Sequence, residues 1–122
     1  MTAARGPGAD RQTCDRQYCE VMWVDCGGGA TIGTTGSEDG TIIADEEHTE
    51  GGRITLERDG RTAPFSITCG VYGMMAHTTF HSTLGEAEAQ YEAMKAEIGR
   101  LLENWDDIDE LQWLEEFVNR FW

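Results

Sequence analysis

The chain has 122 residues and a formal net charge of −14, because 23 Asp and Glu residues stand against nine Lys and Arg. Negative charge on this scale governs solubility and the choice of partner rather than the fold. It argues against a surface for nucleic acid or for an anionic membrane, since both require clustered basic residues. A basic protein remains a suitable partner.

The length favours one domain with its own hydrophobic core. Residues 1–15 have no apolar periodicity, so we expect a flexible tail followed by a domain over residues 16–122. The N-terminal segment also lacks the apolar run of a secretory signal, which predicts a cytoplasmic protein. In that compartment the four cysteines would be thiols, whereas after export they could form two disulfides in more than one pairing.

The first two thirds of the chain show the apolar patterns of β-strands. Tyr18–Asp25 is largely apolar on both faces, which favours a central strand. Asp59-Gly60 predicts a two-residue hairpin turn between two later strands. The predicted strands after the first one cover residues 41–45, 53–58, 62–69 and 74–80.

After residue 82 the apolar spacing changes to that of α-helices. Thr83 and Glu86 form a capping box that predicts the start of a first helix, which should end near Glu103. Asp107 and Glu110 repeat this box and predict a second helix over residues 108–122.

Strands followed by helices indicate an α+β fold. The sequence predicts an antiparallel, meander-like sheet of four or five strands, with both C-terminal helices packed on one face.

The glycine-rich segment Gly28–Thr35 has the spacing of a phosphate-binding P-loop. Thr34 occupies the position where that loop needs a lysine to reach the phosphates. No helical pattern follows, so no helix N-terminus is available for an anion. We interpret the segment as a loop and expect no cofactor.

The cysteines and histidines are spaced irregularly for a metal site. His77 and His81 would lie on one face of a strand but about 13 Å apart. We therefore expect no metal, and keep a zinc-stabilised module that uses Cys14, Cys19 and Cys26 as an alternative.

Cys69 and His77 are the one pair that the sequence offers as nucleophile and base. A hairpin loop at Gly70–Gly73 would place their strands side by side. No third group orients the histidine, and a buried thiol is unreactive. These two residues remain weak catalytic candidates for a small cysteine-dependent enzyme or redox protein.

Acidic residues cluster in residues 38–50 and again in residues 103–116, where no basic residue interrupts them. Each cluster is either a solvated face or a docking surface, on which opposite charge raises the rate of association with a basic partner. The candidate binding residues of the second cluster are Glu103, Asp106, Asp107, Asp109 and Glu110.

The apolar residues of the second helix, which include Leu111, Leu114 and Val118, form an arc about twice as wide as that of the first. Its aromatic residues are Trp113, Phe117, Phe121 and Trp122. These residues either complete the core or form a subunit interface. We expect a second copy to cover the part near Trp113 and Phe117. The sequence therefore predicts a small non-enzymatic, homodimeric protein that binds a basic protein in the manner of an inhibitor or adaptor.

Overall fold

The computed structural model describes residues 22–121, so the predicted tail, residues 18–21 of the first predicted strand, Cys14, Cys19 and Trp122 lie outside the described residues. Five strands form one antiparallel sheet in chain order, and two helices follow them. The predicted α+β fold, with a meander-like sheet and two C-terminal helices, is confirmed. The elements are β1 (Trp23–Asp25), β2 (Thr41–His48), β3 (Gly52–Arg58), β4 (Phe65–Val71), β5 (Met75–His81), α1 (Leu84–Glu103) and α2 (Glu110–Arg120).

The first strand lies at one edge of the described part of the sheet. In the described part of the chain, β1 pairs with β2 alone and forms an edge of the sheet. Its three residues place Trp23 against the core, whereas Val24 is 46% exposed. Because residues 18–21 of the predicted strand lie outside the described residues, its central position stays a prediction.

The main core lies between the sheet and the helices. Alternation along β3 and β4 places Ile54 opposite Cys69 and Leu56 opposite Ile67, and all four side chains are buried. Gly52 allows α1 to approach the sheet closely, because a Cβ at this position would lie only 2.9 Å from a methyl carbon of Leu102. The buried residues that α1 contributes are Ala87, Tyr91, Met94, Ile98, Leu101 and Leu102.

The loop between β3 and β4 is longer than predicted. Arg58 pairs with Phe65, so six residues connect the strands instead of the expected two. Asp59 does adopt the positive φ of a tight turn, at 57°. The loop instead turns toward Glu38, whose carbonyl accepts a hydrogen bond from the Arg61 amide. This tertiary contact overrides the local turn preference, which is why the two-residue turn is wrong.

The helix starts are predicted with unequal accuracy. Thr83 Oγ1 accepts the amide of Glu86 at 3.2 Å and caps α1 as the sequence indicates. The cap of α2 is Asp109 rather than Asp107, and its carboxylate accepts the Gln112 amide at 3.1 Å. The helix begins later because Ile108 is extended and packs against the core, which displaces the first turn.

The segment between β1 and β2 lies over the other face of the sheet and is fixed there by Glu57. This side chain is 1% exposed, and its carboxylate accepts the amides of Glu38 at 3.1 Å and Gly40 at 3.0 Å. The backbone passes so close that a Cβ at Gly36 would collide with the Glu57 carboxylate. Gly36 therefore permits a close approach of this backbone to the sheet.

Asp45 is the second buried acid on this face. Its carboxylate accepts two hydrogen bonds from Arg53, at 3.0 and 2.7 Å, and one from Thr55 at 2.9 Å. Burial raises the pKa of Asp45, but the hydrogen bonds, that of Arg53 above all, outweigh this and hold the pKa below its ordinary value of 3.8.

We expect Asp45→Asn to lower the free energy of unfolding by about 1–3 kcal/mol at pH 7, because it removes a charge-assisted pair. Since the folded-state pKa is depressed, the contribution of the carboxylate is complete above about pH 5 and is lost as pH falls through the folded pKa. Urea unfolding of wild type and variant between pH 3 and 7 measures this difference. A difference that grows toward low pH would contradict the assignment.

No helix within residues 22–121 is long and apolar enough to cross a membrane.

Candidate functional site

Every lysine and arginine in residues 22–121 lies within 4.0 Å of a carboxylate of the same chain. Residues 1–21 hold equal numbers of acidic and basic residues, so the whole surplus of negative charge resides in the described part. The pairs are Arg53–Asp45, Arg58–Asp59, Arg61–Asp39, Lys95–Glu46, Arg100–Glu97 and Arg120–Glu97.

Half of the first predicted acidic cluster, residues 38–50, forms ion pairs within the chain. Asp39 and Asp45 pair with arginines, as described above. Glu46 accepts hydrogen bonds from Lys95 Nζ at 2.9 Å and from the Tyr91 hydroxyl at 2.6 Å. These three carboxylates hold the sheet, its covering segment and α1 together.

The second cluster is neutralised far less. Among the described residues, no lysine or arginine lies within 4.0 Å of its five candidate binding residues. Asp109 caps α2, whereas Asp106, Asp107 and Glu110 are exposed at or near the connection between the helices. Glu103 contacts the buried His48 ring at 3.0 Å. The structure therefore separates two clusters that the sequence does not distinguish.

A cleft of about 520 Å³ opens beside this second cluster. We call it the acidic cleft. Glu50, Glu103 and Asp106 supply its carboxylates, and Tyr72 and Trp105 supply its aromatic rings. The Tyr72 residue is 63% exposed and Trp105 is 40% exposed. The remaining lining residues are the buried Val71 and Leu102.

Three connections of the fold meet at the acidic cleft: the β2–β3 turn, the β4–β5 turn and the start of the α1–α2 connection. The Tyr72 amide donates to the Gly51 carbonyl at 2.9 Å, which joins the two turns. His48 Nδ1 accepts the Glu50 amide at 3.0 Å, so Nε2 carries the proton that is donated to Glu103. His48 thereby positions residues on both sides of the cleft.

This arrangement suits a cationic side chain. A guanidinium or ammonium group is attracted to the faces of exposed aromatic rings. It also forms charge-assisted hydrogen bonds with carboxylates, and a planar guanidinium can bind a carboxylate through two donors. The lining of the acidic cleft contains no basic residue, so an incoming cation meets no repulsion from it.

The aromatic residues of α2 lie elsewhere. Trp113, Phe117 and Phe121 are each 2% exposed and belong to the core between the sheet and the helices. The uncovered apolar side chains of α2 are Leu111, which is 80% exposed, and Val118, which is 41% exposed. The expectation that a second copy covers the surface near Trp113 and Phe117 is therefore wrong, because the chain's own core already buries both.

Cys69 and His77 are paired directly across β4 and β5, as the sequence suggests. Burial raises the pKa of the Cys69 thiol to about 12, so it stays protonated near neutral pH. His77 Nε2 donates to the Phe121 carbonyl at 2.5 Å and links β5 to the end of α2. The pair has proximity but lacks the thiolate that nucleophilic chemistry requires.

A larger cleft of about 710 Å³ lies on the sheet face under the glycine-rich segment. Glycine and threonine residues such as Thr55, Thr68 and Gly70 line it. Its charged groups are already engaged, since Glu57 binds backbone amides and Arg53 binds Asp45. The buried hydroxyl of Thr31, which also lines it, has no hydrogen-bond partner among the described residues.

Within residues 22–121, no three His, Cys, Asp or Glu side chains are grouped so that they could hold a metal ion. Of the three cysteines in the zinc alternative, the structure describes Cys26, which is buried, and burial raises the pKa of its thiol.

The sequence identifies part of the acidic cleft. It places Glu50 in the first acidic cluster and Glu103 and Asp106 in the second, without indicating that they meet. It misses the aromatic residues Tyr72 and Trp105. Trp105 carries a weak signal, because it is a large aromatic residue inside an acidic run. Nothing local to Tyr72 indicates that its turn meets the end of α1.

Comparison of the chain with family models, with curated proteins and with solved structures yields no match.

Proposed function

We propose that this is a non-enzymatic binding protein that docks a basic protein partner at the acidic cleft, in the manner of a small inhibitor or adaptor. The observation that carries the proposal is the combination of un-neutralised carboxylates with exposed aromatic rings in one concave site. The partner would present an arginine or lysine side chain to Trp105 and Tyr72. Asp107, Asp109 and Glu110 would extend the negative surface around it.

The interaction energies favour a specific contact at the acidic cleft over general attraction between opposite charges. A cation–π contact contributes about 0.5–2 kcal/mol, depending on how far the site is dried. Exposed carboxylates around the cleft add little affinity individually, but they raise the rate of encounter and reject acidic competitors. Aromatic residues in a concave site concentrate binding energy, which makes Trp105 the expected hot spot.

The proposal includes a cytoplasmic location and a homodimer, neither of which is needed for the cleft to work. It also holds that the protein binds neither membranes nor nucleic acid through phosphate contacts, because the basic residues of the described chain are already paired with carboxylates.

A hexa-arginine peptide is a defined probe of the acidic cleft. We expect the double variant Glu50→Gln/Asp106→Asn to bind this peptide about 5- to 30-fold more weakly than wild type at moderate salt, because it removes two charges next to the aromatic rings. The matched control is Glu88→Gln/Glu92→Gln, which neutralises two exposed residues of α1 and leaves the cleft unchanged. Calorimetric titration measures both affinities.

The control variant should bind within about 2-fold of wild type, since exposed charges at a distance are screened. Equal losses in the two double variants would show that the peptide responds to net charge alone. That outcome would reject the acidic cleft as a binding site. The negative surface would then contribute to solubility only.

A further inference from the structure

The β4–β5 hairpin is unlike the rest of this acidic chain. No Asp, Glu, Lys or Arg occurs anywhere in residues 62–85, which include both strands and the turn between them. The rest of the chain therefore carries the entire net charge of −14. The hairpin is the one long neutral stretch on which a second negatively charged molecule could come close.

Strand β5 also ends the sheet without a partner among the described residues. It pairs with β4 on one side, and no strand of residues 22–121 lies on the other. Alternate residues of such a strand point their N–H and C=O groups outward, where they can pair with another chain.

Edge strands usually carry features that prevent pairing, such as a charge, a proline, a bulge or a very short length. β1, at the opposite edge of the described sheet, has three described residues and ends in Asp25. β5 has seven residues, contains neither proline nor a charged Lys, Arg, Asp or Glu, and runs in continuous register with β4. The two edge strands thus differ in length and in charge.

A large apolar side chain is exposed on this edge strand. Phe80 is 43% exposed on the sheet face away from the helices, the face on which its cross-strand neighbour Ser66 also lies. A partner strand could cover this ring.

We propose that β5 pairs with β5 of a second copy, forming a continuous ten-stranded antiparallel sheet across a twofold axis. Antiparallel pairing of a strand with itself is self-complementary, as a twofold interface requires. One pair of strands buries less than a typical stable interface, so the dimer should be weak, with a dissociation constant in the micromolar range. The inference rests on the homodimer part of the proposed function, but the acidic cleft does not depend on it.

The dependence on salt concentration distinguishes dimerisation through β5 from peptide binding at the acidic cleft. Two copies that each carry a charge of −14 repel one another, so screening should strengthen the dimer several-fold between about 0.05 and 0.5 M NaCl. Binding of a hexa-arginine peptide at the acidic cleft should weaken over the same range. Failure of one proposal is therefore visible independently of the other.

Analytical ultracentrifugation of the full chain, from a few to a few hundred micromolar, provides the test. Thr78→Glu places a like charge on the edge, and Phe80→Thr removes the exposed ring. Each should weaken the dimer at least tenfold. Thr62→Glu adds the same charge in the exposed β3–β4 loop and should leave the dimer unchanged. Thermal melting confirms that all three variants fold.

A wild-type protein that is monomeric at every concentration and salt would overturn the proposal. So would a dimer that survives both edge variants, because the interface would then lie elsewhere. If the full chain is monomeric and only a chain without residues 1–21 dimerises, the N-terminal segment occupies the edge and the proposal is again wrong.

Discussion

Trp113→Ala should lower the free energy of unfolding by about 3–5 kcal/mol, the largest effect of any substitution considered for this chain. Trp113 is 2% exposed, stacks on Phe117 with ring centroids 4.8 Å apart, and donates its indole N–H to Glu97 at 3.0 Å. Truncation leaves a cavity and removes that hydrogen bond. A domain of this size is stabilised by only about 5–15 kcal/mol, so the melting temperature should fall by about 10–20 °C.

The matched control for this variant is Leu111→Ala on the same helix. Leu111 is 80% exposed, so its truncation should change the stability by no more than about 0.5 kcal/mol. If Trp113→Ala fails to fold, Trp113→Phe keeps most of the ring and should show a smaller loss.

Protein concentration distinguishes a core residue from an interface residue. The difference in melting temperature between Trp113→Ala and wild type should be the same at protein concentrations tenfold apart. A difference that depends on protein concentration would indicate that Trp113 lies in a subunit interface and would contradict its assignment to the core.

Glu57→Ala should cost about 2–4 kcal/mol, because it leaves the buried amides of Glu38 and Gly40 without an acceptor and opens a cavity. Glu57→Gln retains one carbonyl oxygen and should cost less than half as much. Chemical denaturation measures both variants.

Hydrogen exchange gives this second prediction a local readout. In Glu57→Ala, the amides of Glu38 and Gly40 should exchange at least tenfold faster than in wild type, relative to amides of α1. Unchanged protection at these two positions would mean that other contacts hold the glycine-rich segment on the sheet.

The sequence predicts those parts of the structure that depend on local chemistry. Strand alternation in β3 and β4 and the Thr83 cap of α1 are correct, because each follows from residues close together in the chain. The two-residue turn at Asp59-Gly60 fails because a distant carbonyl, that of Glu38, attracts the loop.

The candidate site is harder to predict because it also depends on contacts between distant parts of the chain. Charge alone indicates Glu103 and Asp106. It does not show that Asp39, Asp45 and Glu46 of the first cluster form ion pairs, whereas no Lys or Arg among the described residues pairs with Glu50 or with the candidate residues of the second cluster. That difference depends on which arginine meets which carboxylate in the fold. The acidic cleft likewise forms only where three connections of the chain meet. His48 contacts Glu50 and Glu103 on two sides of this cleft, and the sequence does not reveal either contact.

Trp113 and Phe117 illustrate a further limit. The apolar arc of α2 is correctly read as wide, but the helix buries its aromatic residues and leaves Leu111 and Val118 uncovered. Periodicity gives the width of an apolar face, whereas the identity of its covered part depends on where the sheet and α1 lie.

If a cationic group binds at the acidic cleft, an NMR titration with hexa-arginine peptide should detect it at the residues of that cleft. The indole signal of Trp105, assigned with Trp105→Phe, should shift most among the tryptophans, together with the amides of Glu50, Tyr72 and residues 103–106. The buried Trp113 indole should remain nearly unchanged. Shifts spread evenly over the acidic residues, or centred on Glu88 and Glu92, would contradict the account.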